Sequence, residues 1–214
     1  MFYLTVYWRR ARRVRLALAA GLALACLTAA VSPLLAGCAS VRSHTLRLHI
    51  LANSDSAADQ ALKLDVRDAI LARAGSMLTG AATKQEALEK AAEALPEIQA
   101  AARDEIARQG YDYPVTVRLE NRFFATRAYD GFTLPAGMYD AVRVEIGQSA
   151  GRNWFCVLFP PLCVPAALAG EEQGEGQKET AGYTPDEQTA VESPYRISFA
   201  LVEAVERLEA WLIA

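Results

Sequence analysis

The stretch LRLHILANSDSAADQALKLDVRD, residues 46–68, contains two different hydrophobic periods separated by a short polar segment. Apolar and polar residues alternate over residues 45–52, which is the pattern of a half-buried β-strand. The polar segment at residues 53–55 ends that pattern. Ser56 stands three residues before Asp59, which is the spacing of a capping box, so a helix is predicted to begin there.

A second helix is predicted directly after the first. Thr83 and Glu86 form another capping-box spacing, and the helical pattern closes near Gly110. The first helix has two apolar ridges on nearly opposite sides, so we expect it to be covered twice, once by the second helix. Pro96 removes a backbone donor in the middle of the second helix, which predicts a kink or a break.

Beyond the helices the hydrophobic period changes to two, which is typical of β-strands. The extended stretches are residues 115–120, 122–127, 138–146 and 153–159. Asp-Gly and Pro-Ala-Gly turns separate them, and short connections of this kind join antiparallel neighbours. The sequence therefore predicts an α+β domain over residues 45–168, with a mostly antiparallel β-sheet covered by helices.

The first 37 residues differ in composition from this domain. Five arginines and no acid precede an apolar run at residues 16–37, which is the layout of an export signal. A helix of that length can cross a bilayer, so length alone does not separate a signal peptide from a retained membrane anchor. Residues 35–38, Leu-Ala-Gly-Cys, have the pattern of a lipobox, which makes Cys38 a candidate for lipidation. A lipoprotein, an uncleaved anchor, and ordinary cleavage with release all remain open, and residues 38–44 are predicted to be a linker.

The charge distribution predicts where the domain resides and which partners it avoids. The cationic block favours the cytoplasmic side, so the chain after Cys38 is expected to be extracytoplasmic. Removing residues 1–37 leaves 17 basic and 25 acidic residues, a net charge of −8. Nucleic acid and anionic lipid surfaces are poor partners for such a chain. Chemistry that depends on ATP or reduced nicotinamide is not expected there, and we predict no cofactor and no small-molecule substrate.

The C-terminal part divides into two segments. Residues 169–192 carry seven acids and a single lysine, which predicts a disordered acidic insert. Residues 193–214 begin with Ser-Pro and place apolar side chains along one helical face. We expect this last segment to form a helix that packs on the domain.

Three segments go beyond generic patterning. They are residues 46–68, quoted above, residues 121–147, NRFFATRAYDGFTLPAGMYDAVRVEIG, and residues 153–164, NWFCVLFPPLCV. In this order they resemble the signature segments of the stage II sporulation protein R family, and the resemblance covers residues 45–165. It implies a protein made in the forespore and exported into the intermembrane space between forespore and mother cell. There it would trigger a membrane-embedded aspartic protease of the mother cell, which processes the precursor of an early mother-cell sigma factor.

Two polar regions are predicted to contact that partner. The first is the strand–helix junction and the exposed side of the helix, with Asn53, Asp55, Asp59, Gln60, Lys63 and Arg67. The second surrounds a turn, with Arg122, Arg127, Tyr129 and Asp130. Exposed arginine and tyrosine are favoured in interface hot spots. The alternatives are capping and a solvated helix surface for the first region, and an Arg127–Asp130 pair that ties down the turn for the second.

Two cysteines flank the Pro160-Pro161 pair. Outside the cytoplasm, Cys156 and Cys163 are candidates for a disulfide, provided that the segment between them bends back on itself. Two buried thiols are the alternative. Neither arrangement assigns a reaction to the protein.

Two other classes of function compete with a signalling role. A cysteine hydrolase would use Cys156 activated by His49, with an acid such as Asp55 orienting the ring. A zinc site built from His44, His49 and the cysteines lacks recognisable ligand spacing. A passive structural protein of the septal space is the remaining class. The sequence favours a non-enzymatic signal that is attached to the membrane by a lipid or an anchor.

Overall fold

The computed structural model describes residues 2–78, 80–129, 132–161 and 183–191. The elements in chain order are α1 (Phe2–His44), β1 (Leu46–Leu51), α2 (Ala57–Ala74), a 3₁₀ helix (Gly75–Leu78), α3 (Lys84–Arg108), β2 (Val115–Phe124), β3 (Arg127–Ala128), β4 (Thr133–Leu134), β5 (Gly137–Ile146), β6 (Asn153–Phe159) and α4 (Pro185–Val191).

Four strands form one sheet in the order β2-β5-β1-β6. The β2–β5 and β1–β6 pairs are antiparallel, whereas β1 and β5 run parallel. The parallel pair needs a long crossover, which the chain from α2 to β2 supplies. β3 and β4 pair with each other as a separate antiparallel hairpin. The predicted α+β fold with a mostly antiparallel sheet is thereby confirmed.

Both predicted capping boxes begin helices. Ser56 is the N-cap of α2, and its hydroxyl accepts a 3.1 Å hydrogen bond from the backbone N–H of Asp59. Thr83 is the N-cap of α3 and accepts from the backbone N–H of Glu86 at 3.2 Å. The α3 helix continues through Pro96 without ending, so the predicted break does not occur. The helix stays continuous because its alanine-rich apolar face is buried in the core on both sides of Pro96.

The core lies between the two helices and one face of the sheet, here called the inner face. Alternate residues of each strand point toward it, among them Leu48 on β1 and Val142 on β5. The members contributed by the helices are Leu62, Val66, Ile70, Leu71, Ala74, Ala87, Ala91, Ala94, Ile98, Ala101, Ala102 and Ile106. Burying this much aliphatic surface is the main source of stability for the fold.

The opposite face of the sheet, the outer face, is partly covered. The end of α1, the β3–β4 hairpin and α4 meet in a second apolar cluster, whose members are Val41, Phe132, Leu134, Val157, Tyr183 and Val191. All six residues of β1 are buried. The prediction of a half-buried strand was wrong, because this second layer covers the face that the alternation assigned to solvent.

Two boundaries predicted from sequence need correction. Residues 38–44, predicted to be a linker, are the last two turns of α1, and Val41 is fully buried there. Residues 183–191, predicted to belong to a disordered acidic insert, form an ordered segment that includes α4. Tyr183 and Val191 anchor it in the second cluster, and Glu187 accepts a 2.7 Å hydrogen bond from the Ser40 hydroxyl. The prediction of disorder relied on the acidic composition of the whole segment and so overlooked these two apolar residues.

Other predictions concern parts of the chain that the structure does not test. The remainder of the acidic insert and the predicted C-terminal helix at 193–214 lie outside the described residues. Within the described ranges, no helix combines the length and the apolar character that crossing a membrane requires. Signal cleavage, a retained anchor and lipidation of Cys38 stay predictions.

Candidate functional site

The alternation of β1 places two polar side chains on the outer face of the sheet. Leu48 and Ile50 point into the core, so Arg47 and His49 point away from it. Nevertheless Arg47 is 0% exposed and His49 only 4% exposed. Arginine is rarely buried this completely unless a partner balances its charge, so this part of the sheet stands out.

Arg47 lies among aromatic rings. Its guanidinium carbon is 4.2 Å from the ring centroid of Phe124, 5.0 Å from that of Tyr139 and 5.6 Å from that of Phe155. These are distances at which the ring faces attract a cation. Nη2 donates a 2.9 Å hydrogen bond to the hydroxyl of Tyr129, whereas Nε and Nη1 have no hydrogen-bond partner. No carboxylate among the described residues forms an ion pair with this guanidinium.

His49 lies in the same aromatic cluster. Its ring stacks on Phe155 with the centroids 4.7 Å apart and meets the edge of Phe124 at 5.5 Å. Burial, together with the positive charges of Arg122 and Arg47, lowers the pKa of His49 to about 4. Neither ring nitrogen makes a hydrogen bond of ordinary geometry, although Asn153 lies close enough to offset part of this lowering. The imidazole is therefore neutral near pH 7.

On the outer face, the neighbouring strands β2 and β5 add three arginines and two acids. Arg143 pairs in register with His49, and its guanidinium contacts Glu120 at 3.0 Å and Glu145 at 2.8 Å. The same two acids also pair with Arg118 and Arg122. The acids of β2 and β5 are thus already engaged within the sheet.

Arg127 lies at the edge of this face, on β3. It is exposed, and its guanidinium carbon lies 4.6 Å from the ring centroid of Phe155. Along the part of the chain that the structure describes, Arg127 has no carboxylate partner. Together with Arg47, it leaves the outer face with positive charge that no described acid balances.

Unsatisfied polar atoms concentrate on this face. In the described ranges, the buried side-chain atoms without a hydrogen-bond partner belong to only four residues: Arg47, His49, Thr126 and Arg143. Three of the four lie next to each other on β1 and β5, and Thr126 lies between β2 and β3. Buried polar groups are nearly always satisfied in folded proteins, so such a concentration marks a candidate site. We call Arg47, His49, Arg122, Arg127, Tyr129 and Arg143 the outer-face site.

The second predicted contact region coincides with this site. Arg122, Arg127 and Tyr129 belong to it, whereas Asp130 lies outside the described residues. The sequence analysis missed Arg47 and Arg143, and it considered His49 only as a catalytic base or a zinc ligand. The signal was present in the string LRLHIL, where an arginine and a histidine alternate with aliphatic residues in a strand that is buried throughout.

The first predicted contact region is a hydrogen-bonded junction. Asp59 is 5% exposed, and its carboxylate accepts hydrogen bonds from Ser54 Oγ at 2.5 Å and Asn53 Nδ2 at 2.9 Å. These bonds hold the pKa of Asp59 below its usual value. Asn53 Oδ1 in turn accepts from the backbone N–H of Gln148 at 2.9 Å. The junction therefore ties the start of α2 to the β5–β6 connection.

The other residues of that region are also partnered. Lys63 is 6% exposed and donates to Gln60 Oε1 at 2.7 Å and to the backbone carbonyl of Arg152 at 3.2 Å. Asp55 Oδ1 accepts from the backbone N–H of Arg152 at 2.6 Å, and Arg67 lies over the ring of Trp154 at 5.1 Å. Burial of Asp59 and Lys63 supports the alternative of capping and turn formation, whereas Asp55 is exposed and Asn53, Gln60 and Arg67 are half-buried.

The structure separates the two residues of the hydrolase hypothesis. Cys156 pairs in register with Leu48 and lies in the inner core, whereas His49 faces the opposite side of the sheet. Cys156 is disulfide-bonded. Its predicted partner Cys163 lies outside the described residues, so the pairing stays a prediction. No cluster of three or more metal-binding side chains occurs in the described ranges.

Cys38, the candidate for lipidation, is buried in the last turns of α1. A lipid on its sulfur would require this part of α1 to leave the domain. Two residues farther on, Ser40 bonds to Glu187 of α4, and His44 contacts the same carboxylate. Lipidation of Cys38 itself stays a prediction.

Comparison with known proteins places this fold in a family. A family described as stage II sporulation protein R matches residues 42–168, which include the whole four-stranded sheet and both covering helices. The chain belongs to this family. A relative, stage II sporulation protein R of Bacillus subtilis (strain 168), is 36% identical over 141 residues. That alignment covers 66% of this chain and 63% of the relative, and no solved structure matches. The resemblance inferred from the three signature segments is confirmed.

Proposed function

We propose that this protein is an exported sporulation signal that binds and activates a membrane-embedded aspartic protease of the mother cell. The activated protease then processes the precursor of an early mother-cell sigma factor. Family membership supports the sporulation role, and the outer-face site supports a mode of action by binding. The space between forespore and mother cell is the proposed location, because an arginine-rich, acid-free leader precedes the domain.

The observation that carries the proposal is the set of unsatisfied donors on a face that also exposes Arg127. Buried donors without partners are costly to a protein that has no use for them. Arginine and tyrosine in such surroundings are the residues that most often dominate an interface. The outer-face site is therefore proposed as the surface that contacts the protease.

Activation without chemistry requires a difference in affinity. A binding protein shifts an enzyme toward its active state only by binding that state more tightly than the inactive one. Attachment to the membrane raises the effective concentration of the signal beside a membrane-embedded partner, so modest contacts suffice. The helix α1 leads directly into the domain without a flexible linker, which restricts how the outer-face site is presented.

The test uses the full-length chain together with the protease and the sigma-factor precursor in reconstituted membranes. Arg127→Gln and Arg122→Gln are expected to lower the rate of precursor processing about tenfold each, as loss of a hot-spot residue does. Arg118→Gln is the matched control, because Arg118 lies on the same face of β2, four residues before Arg122, but does not belong to the outer-face site. It is expected to process the precursor at the rate of the unmodified protein.

Two outcomes contradict different parts of the proposal. Full activity of both outer-face variants would show that the contact surface lies elsewhere. Failure of the unmodified protein to bind or activate the protease would refute direct signalling, and a passive structural role would replace it.

A further inference from the structure

The outer-face site contains a positive charge without a counter-charge. Arg47 is completely buried, yet two of its three nitrogens lack any partner and its remaining contacts are aromatic rings and the Tyr129 hydroxyl. A protein retains such an arrangement at a cost, which is recovered when a ligand brings the missing acceptor.

We propose that the outer-face site binds a carboxylate of an acidic peptide segment, with Arg47 as the central donor. This inference deepens the proposed function, on which it rests for the statement that the segment belongs to the protein partner. The binding step itself is a property of this chain alone.

Charge complementarity favours an anion. Glu120 and Glu145 already pair with Arg118, Arg122 and Arg143, so the charges of Arg47 and Arg127 remain to be balanced. The chain beyond residue 37 is acidic as a whole, with a net charge of −8 that includes these arginines. A concentration of arginines on one face of an acidic domain selects a negatively charged group at that face and repels it elsewhere.

The arrangement and surroundings of the donors favour a carboxylate among anions. Nε is unpaired and shares one edge of the guanidinium with Nη2, so a carboxylate that replaces the Tyr129 hydroxyl at Nη2 can accept from both nitrogens with its two oxygens. The walls of the site are the rings of Phe124, Tyr139 and Phe155, all within 5.6 Å of the guanidinium carbon. Such apolar walls accommodate the aliphatic stem of a glutamate or the end of a peptide better than a hydrated, doubly charged phosphate.

The carboxylate takes the place of the Tyr129 hydroxyl at Nη2 of Arg47. Tyr129 covers Arg47 through its hydroxyl, and its ring stacks on Phe132 with the centroids 4.8 Å apart. The hairpin itself is short, with only two residues in each strand. Replacement of the neutral Tyr129 hydroxyl by a carboxylate oxygen gives the guanidinium an acceptor of opposite charge, which makes the hydrogen bond stronger.

The experiment follows the arginine side chains of the full-length protein by NMR after labelling with ¹⁵N-arginine. The probe is an acetylated, amidated pentapeptide that contains two glutamates, and the matched control peptide contains glutamines. We expect the Nε–H signal of Arg47, assigned with Arg47→Lys, to shift in a saturable way with the glutamate peptide and not with the glutamine peptide. A glutamine peptide carrying a free C-terminus distinguishes a terminal carboxylate from a side-chain one.

Two variants separate binding from a structural role. Tyr129→Phe removes the hydroxyl that the carboxylate displaces, so its affinity for the glutamate peptide is expected to rise severalfold. Arg127→Gln is expected to lower that affinity about tenfold, the scale of one lost charge-assisted contact. Arg118→Gln, on the same face but paired with Glu145, is expected to bind like the unmodified protein.

The inference is overturned if the Arg47 signal responds to no carboxylate, or if inorganic phosphate binds more tightly than the glutamate peptide. Its failure is distinguishable from failure of the proposed function. Protease activation without peptide binding overturns the carboxylate site alone, whereas peptide binding without protease activation overturns the proposed signalling role alone.

Discussion

The junction before α2 and the outer-face site are both polar, yet their hydrogen bonding differs. The sequence predicted partner contact for the junction, but only for Arg122, Arg127 and Tyr129 of the outer-face site. At the junction, the carboxylate of Asp59 accepts two side-chain hydrogen bonds, and Lys63 donates two. At the outer-face site, Arg47 and His49 keep donors and acceptors without partners. Polar groups that satisfy one another hold a fold together, whereas buried groups that wait for a partner indicate binding.

A single glycine substitution tests how closely the junction is packed. A Cβ atom on Gly151 would lie 2.1 Å from the backbone carbonyl oxygen of Ser54, so the backbone must shift to admit it. We expect Gly151→Ala to lower the free energy of unfolding by about 3 kcal/mol, measured by urea denaturation.

Gly110→Ala is the control for this glycine substitution. Its Cβ meets nothing within 4 Å, so only its positive φ of 83° opposes the change, at a cost of about 1 kcal/mol. Equal losses for the two variants would show that the junction is not tightly packed.

A pH series separates the two regions, because their buried titratable groups respond at different pH. His49 has a folded-state pKa of about 4, below its ordinary value of 6.5. Its contribution to stability is therefore complete above pH 6.5 and is lost as the pH falls toward 4, to a total of about 3 kcal/mol. We expect His49→Phe, which retains a stacking ring, to remove this dependence, measured as the free energy of unfolding between pH 7 and pH 4.

Carboxylates also titrate at the acid end of this range. The informative quantity is therefore the difference in the free energy of unfolding between the variant and the unmodified protein at each pH. A difference that stays constant from pH 7 to pH 4 would mean that His49 is exposed to solvent in the folded state.

The Asp59 carboxylate provides the corresponding test at the junction. We expect Asp59→Asn to cost about 2 kcal/mol at pH 7, because an amide oxygen replaces a charged acceptor of two hydrogen bonds. Since the pKa of Asp59 is lowered in the folded state, this contribution is present above its ordinary value and is lost as the pH falls below about 4. Asp68→Asn, at an exposed position on the same helix, is the control and should change stability by about 0.5 kcal/mol or less.

Much of the fold follows from local patterns in the sequence. Ser56 and Thr83 cap the predicted helices because a hydroxyl oxygen can accept a free N–H at the first turn, whatever the rest of the chain does. The parallel pairing of β1 with β5 was not predictable in this way, because it joins residues separated by both helices. Turns indicate which consecutive strands pair, but they do not indicate that β1 lies between β5 and β6.

The site was only half predictable for a similar reason. Arg122, Arg127 and Tyr129 stand near a turn, and their residue types indicate an interface from sequence alone. Arg47 looks like the solvent-facing residue of a half-buried strand, and only the second layer formed by α1, α4 and the hairpin buries it. That layer depends on Tyr183 and on other residues distant in sequence, which no local period reveals.

The smallest expected change in stability tests the comparison most directly. Replacing a buried charge that lacks a counter-charge by an apolar side chain of similar length removes a desolvation cost, so Arg47→Met should alter the free energy of unfolding by about 1 kcal/mol or less. Leu48→Ala, one residue away on the inner face and also 0% exposed, should cost about 3 kcal/mol because it leaves a cavity in the aliphatic core. Both values come from urea denaturation at pH 7.

Arg47→Met should also abolish binding of the glutamate peptide, whereas Leu48→Ala should bind it as long as the protein is folded. If Arg47→Met destabilises the protein as much as Leu48→Ala does, Arg47 supports the fold in the same way as Asp59, and the distinction between the two polar regions fails.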